Sequence, residues 1–105
     1  MKIIIHTNGL TLKESDEQYI QEKMKKVSTL AKRLQDESSE IGVEVDHDKT
    51  RAAEDEITVK IHVKVPRDHL EASAHGSLVT EAVDKAKKKL LPQIEKYKDK
   101  FGTNS

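Results

Sequence analysis

Three successive stretches of the chain alternate apolar and polar residues, and nothing else in the sequence constrains its fold as much. In the first, Ile41, Val43, Val45 and His47 share one face while Glu44, Asp46 and Asp48 share the other. In the second, Ile57, Val59, Ile61, Val63 and Val65 alternate with Thr58, Lys60, His62 and Lys64. In the third, Leu70, Ala72 and Ala74 mark one face. A period of two places successive side chains on opposite sides of a strand, so each stretch reads as a half-buried strand. A charged loop from Lys49 to Asp55 and a turn at Pro66-Arg67-Asp68 separate them. Short connections favour antiparallel neighbours, and the three strands are expected to form a meander.

A sheet with one apolar face needs a second layer, and two helical stretches can supply it. Lys2 to Thr7 reads as a leading strand, dense in isoleucine and closed by Asn8-Gly9. After it, Ile20, Met24, Val27, Ala31 and Leu34 recur at steps of three and four, predicting a helix that runs to about Gln35. Thr11 with Glu14, or Ser15 with Gln18, offers a capping box at its start, and the pattern does not choose between them. Val79, Ala82, Val83, Ala86, Leu90, Ile94 and Tyr97 form the stripe of a last helix, with Ser77 as its N-cap. Pro92 falls inside this stripe, where it removes a backbone donor and is expected to kink the helix. The expected fold is α+β, a β-α-β-β-β-α two-layer sandwich with both helices on one face of a four-stranded sheet. One domain over residues 1–101 and a short disordered tail at 102–105 follow.

Composition narrows the function classes. The chain lacks cysteine, which excludes disulfides, thiolate metal sites and thiol nucleophiles. Its longest apolar run, Ile3 to Ile5, is too short for a membrane span or a signal-peptide core, so a cytoplasmic location is expected. Five histidines show no metal-ligand spacing along the chain. His62 and His75 are placed near one another across neighbouring strands on the outer face, as solvated strand residues. The four glycines stand apart and form no phosphate loop. The chain is therefore expected to be no enzyme and to need no cofactor.

The formal net charge of zero conceals segregation. Between Asp36 and Glu56 nine acidic residues face only Lys49 and Arg51, whereas Lys85 to Lys100 holds seven lysines against Glu95 and Asp99. Lys23 to Arg33 carries five cations and no anion. At about 100° per helical residue, Lys85, Lys88, Lys89 and Lys96 fall beside the apolar stripe of the last helix. Lys26 and Arg33 flank the stripe of the first, with Lys23 at its edge. Converging, these groups would make a basic surface suited to a phosphate backbone. Double-helical RNA is recognised mainly by shape, phosphates and 2′-hydroxyls, so the scarcity of aromatic residues is no obstacle. Both helices also have acids early and lysines late, which complements the helix dipole without any partner. The acidic counter-face favours a binding surface, because dipole complementation does not require it.

Several local motifs, in this order, resemble the ribosome hibernation-promoting factor and ribosome-associated inhibitor family. They are the opening Met1-Lys2-Ile3-Ile4-Ile5, then Leu10-Thr11-Leu12, then Tyr19 to Val27 (Tyr-Ile-Gln-Glu-Lys-Met-Lys-Lys-Val). Leu70-Glu71-Ala72-Ser73-Ala74 and the stretch from Ala82 to Lys98 complete the similarity, which covers nearly the whole chain. The resemblance implies a factor that sits in the decoding region of the small ribosomal subunit, contacts ribosomal RNA and inhibits translation under stress in bacteria. It maps the family's helix cations onto Lys23, Lys26, Lys89 and Lys96. The chain departs from the pattern at Pro92, where an arginine is usual, at Leu78-Val79-Thr80 and at Thr7-Asn8. Ending just past the last helix, it is expected to be of the short type, without a dimerisation domain, and monomeric. A protein-interaction module of the same fold, using its acidic strand face or a sheet edge, is the alternative.

Overall fold

The computed structural model describes residues 2–30 and 39–100. Its elements are β1 (Lys2–Asn8), α1 (Glu14–Ser28), β2 (Glu40–His47), a single 3-10 turn (Ala53–Asp55), β3 (Ile57–Val65), β4 (Asp68–Gly76) and α2 (Val79–Lys100). The expected β-α-β-β-β-α order and four-stranded sheet are therefore what the chain forms. The strands lie in the order β1-β2-β3-β4. β2, β3 and β4 make the antiparallel meander, while β1 pairs parallel to β2. Parallel neighbours need a long crossover, and α1 sits within that crossover.

Register turns the alternating sequence into rows of side chains. Ile41, Val63 and Leu70 lie opposite one another across the meander, as do Val43, Ile61 and Ala72, then Val45, Val59 and Ala74. All of these are buried, in one core cluster with Ile20, Met24 and Val27 of α1 and the seven stripe residues of α2. The two helices thus cover the same sheet face. α2 lies over β4 and β3, and the small side chains of Ala72 and Ala74 suit its close approach there. Tyr97, almost wholly buried, donates its hydroxyl hydrogen bond to the Pro66 carbonyl at 3.1 Å, tying the end of α2 to the β3–β4 turn.

The turns explain how this register is set. Gly9, after β1, has φ 80, and a Cβ there would lie 2.7 Å from the His47 carbonyl oxygen. Only glycine tolerates both the left-handed backbone and that contact. The β3–β4 turn contains two residues, Pro66 and Arg67, so Val65 pairs with Asp68. Arg67 takes φ 70, in the left-handed slot that a turn with proline at its second position usually gives to glycine.

Several sequence expectations are corrected. Neither capping box starts α1: the residue before the helix is Lys13, and no side chain caps it. Lysine offers no acceptor, and the acidic first turn of Glu14, Asp16 and Glu17 instead meets the positive end of the helix. α2 begins at Val79, so Ser77 lies one residue outside the N-cap position, where it helps, after Lys85, to hold the Glu81 carboxyl below its usual range. Pro92 lies inside α2, as expected, on the exposed side of the helix. His62 opposes Glu71, not His75, which opposes Thr58 and bonds its hydroxyl at 2.8 Å. α1 ends at Ser28 with Thr29 as its C-cap, short of the expected end near Gln35. Ala31, Arg33, Leu34 and the expected tail at 102–105 lie outside the described residues.

A basic groove between the two helices

α1 and α2 are held side by side by a buried-to-surface gradient of contacts. Beneath lie Ile20, Met24 and Val27 against the α2 stripe. At the rim, the Tyr19 hydroxyl donates to Asp84 Oδ1 at 2.6 Å. Lys23 Nζ stands 3.8 Å from the same oxygen and 5.2 Å from the centre of the Tyr19 ring. A cation over an aromatic face gains from the ring quadrupole, so Tyr19 and Asp84 together fix Lys23 at the mouth of the groove. The groove has a volume of about 330 Å³ and is lined by Lys23, Asp84, Lys87, Lys88 and Leu91.

Its electrostatics are those of crowded like charges. Burial pushes the Lys87 ammonium below the usual lysine range, and the charges of Lys23 and Lys26 push it further the same way. Asp84 acts in the opposite direction and is outweighed. Like charges across a helix pair disfavour ionisation, so the groove holds an excess of positive charge that its one carboxylate does not offset. Lys87 is absent from the residues picked out by sequence. The signal is present in the chain, since helical projection places Lys87 with Asp84 and Leu91, opposite Lys85. What the projection lacks is which flank faces α1.

The remaining expected residues separate into two groups. Lys23 and Lys88 line the groove, and Lys26 stands close enough to act on Lys87. Lys85, Lys89 and Lys96 lie on the far flank of α2, toward β4. There Lys85 pairs with Glu81 at 3.2 Å, and Lys89 donates to the Ser73 carbonyl at 3.0 Å. Lys96 borders a shallow depression with Asp68, His69 and Leu70. Arg33 lies outside the described residues. Beside Lys89, the Gln93 amide closes on the β4 backbone, accepting from Glu71 N–H at 3.1 Å and donating to Glu71 C=O at 2.6 Å. These contacts occupy backbone groups that an edge strand otherwise presents to another chain.

The Tyr19–Asp84 tie gives the groove a measurable pH limit. The hydrogen bond to Asp84, with burial and the carboxylate charge adding to it, raises the Tyr19 phenol from 10.0 to about 12. A folded-state pKa above the unfolded one means that the tie is intact below about pH 10. Its contribution is lost as pH rises through about 12. Subtracting the ultraviolet titration of Tyr19→Phe from that of the parent protein should isolate a phenol ionising near pH 12. A difference curve centred on pH 10 would show that the tie does not form.

The chain belongs to a protein family whose shared model, described as Sigma 54 modulation protein / S30EA ribosomal protein, matches residues 3–101. Its fold is similar to that of a ribosomal subunit interface protein from Coxiella burnetii, with TM-score 0.75 and 22% identity over 94% of this chain and 99% of that one. It is also similar to the Protein Y N-terminal domain of Thermus thermophilus, with TM-score 0.71 and 17% identity over 92% and 99% of the two chains. No curated protein matches the sequence. The family is ribosome-associated, which sets the context in which the basic groove is read.

Proposed function

We propose that this protein is a non-enzymatic factor that binds ribosomal RNA of the small subunit through the α1–α2 groove. In this reading it occupies the decoding region and holds translation inactive under stress, acting as a cytoplasmic monomer. The observation that carries the reading is the lining of this groove by Lys23, Lys87 and Lys88, with Asp84 as the one carboxylate among them. Folding gathers cations that repel one another, and a phosphate backbone laid along the groove would neutralise them together. Membership in a ribosome-associated family supports the partner, and no described helix is long and apolar enough to cross a membrane.

The alternative of a protein-interaction module is less well supported. On the acidic strand face Glu44 is engaged by His62 and Glu71 by Lys60. On the β4 edge the backbone groups of Glu71 and Ser73 are covered by α2 side chains.

Co-sedimentation with ribosomal subunits tests the proposal. If Lys23, Lys26, Lys87 and Lys88 each meet a phosphate, affinity should drop roughly 100-fold between about 50 and 200 mM salt. Absence from the small-subunit fraction at low salt, or binding indifferent to salt, would overturn it.

A further inference from the structure

The outer sheet face, away from the helices, carries a cluster that the proposed function does not use. His62 stands on β3, with Glu71 directly opposite on β4 and His69 two residues earlier on the same face of β4. One donor atom from each of His62, His69 and Glu71 lies within 4.8 Å of the other two. The His62 and His69 rings stack, with centroids 5.5 Å apart and planes inclined by 16°. From β2, Glu44 Oε2 reaches His62 Nε2 at 2.5 Å.

We propose that His62, His69 and Glu71 bind a divalent transition-metal ion of the zinc class, with Glu44 as the carboxylate that orients the first of these ligands. The argument starts from His62. Its Nε2 is committed to Glu44, which places the imidazole hydrogen on that nitrogen. The lone pair of Nδ1 then faces Glu71 Oε2, 3.4 Å away. Facing a second carboxylate, Nδ1 is bridged either by a proton or by a metal ion, and the neighbouring donor atom of His69 favours the metal. A tetrahedral ion with bonds of about 2.1 Å holds neighbouring ligand atoms roughly 3.4 Å apart, so His62 and Glu71 are already at a suitable spacing. Exposed on β4, His69 has the freedom to close the remaining gap by side-chain rotation.

The surroundings fit this role. A ligating histidine that donates its other N–H to a carboxylate is the usual outer arrangement at protein metal sites. Lys60 Nζ is 3.8 Å from Glu71 Oε1, which leaves Oε2 for the ion. Gly42 opposes His62 on the β2 side and leaves the space beside the ring open. Lys60, and Lys64 opposite His69, are nearby cations that oppose binding; the first is paired with Glu71 Oε1 and the second is opposed in register by Glu40. Two imidazoles and one carboxylate select zinc-class ions over calcium or magnesium, which prefer oxygen ligands. Sequence spacing hides the site because its ligands come from two strands.

Zinc chloride titrated into metal-free protein by calorimetry should show a single tight equivalent. His62→Ala/His69→Ala should remove it, while His6→Ala and His75→Ala should leave it in place. Glu44→Ala should weaken zinc binding about 10- to 100-fold, with partial recovery in Glu44→Gln, whose amide oxygen still accepts from Nε2. In the parent protein, zinc should shift the imidazole proton resonances of His62 and His69 and spare those of His6 and His75. Circular dichroism of each variant checks that the fold is kept. No saturable binding up to millimolar zinc chloride would overturn the proposal. So would equal binding by the His62/His69 double variant.

Discussion

Leu90→Ala should destabilise the fold by about 3 kcal/mol, whereas Leu91→Ala, one residue further along α2, should cost under about 1 kcal/mol. Leu90 is fully buried between α2 and the sheet, among Val83, Ala86 and Ile94 of its own stripe. Truncation there removes most of a side chain from a closed core and leaves a cavity that rigid strands cannot fill. Leu91 borders the open groove beside Lys87 and Lys88, where solvent takes the vacated space. Against a typical domain stability of about 5–15 kcal/mol the first loss is large, and for a chain of this size it lowers Tm by roughly 15 °C. Thermal unfolding of the two variants measures the rotational setting of α2. Equal losses would mean that the helix is turned from the orientation described.

The apolar stripe alone marks Leu90 as a core residue, and stripes of this kind are where a sequence is most informative. A helix or strand with one buried face must repeat its apolar residues at its own period, and all seven expected stripe residues of α2 are buried. The inward rows of β2, β3 and β4 are legible for the same reason. The caps are less so, because Lys13 has no acceptor and the acidic first turn of α1 does the compensating without a recognisable motif. Register is the weakest point. A two-residue turn at Pro66-Arg67 gives pairing that brings His62 to Glu71, while a three-residue turn would shift every partner by one position. The glycine that would announce such a turn is replaced by Arg67 in a left-handed conformation. The outer His62–His69–Glu71 cluster is therefore hidden, although each of its residues is plainly visible in the sequence.

The groove is half legible for a related reason. Helical projection sorts lysines into flanks but cannot say which flank meets the other helix, so it groups Lys85, Lys89 and Lys96 with Lys88 and passes over Lys87. Their contacts predict different behaviour. Lys26→Gln/Lys87→Gln should weaken co-sedimentation with small subunits roughly 100-fold, at about 1.5 kcal/mol per charge-assisted contact. The same double variant should reduce the salt slope by about two. Lys85→Gln/Lys89→Gln, on the flank toward β4, should cause a smaller loss.

Stability should move the other way from binding. Lys87 is half-buried and is opposed by both Lys23 and Lys26, so neutralising it relieves repulsion inside the folded protein. Lys26→Gln/Lys87→Gln should therefore melt at or above the temperature of the parent protein while losing its partner. Sites kept for binding commonly hold groups that folding alone would not choose. Falling stability together with lost binding would reassign Lys87 to packing. Full binding by the double variant would remove the groove from the interface and leave the β4 flank as the place to look.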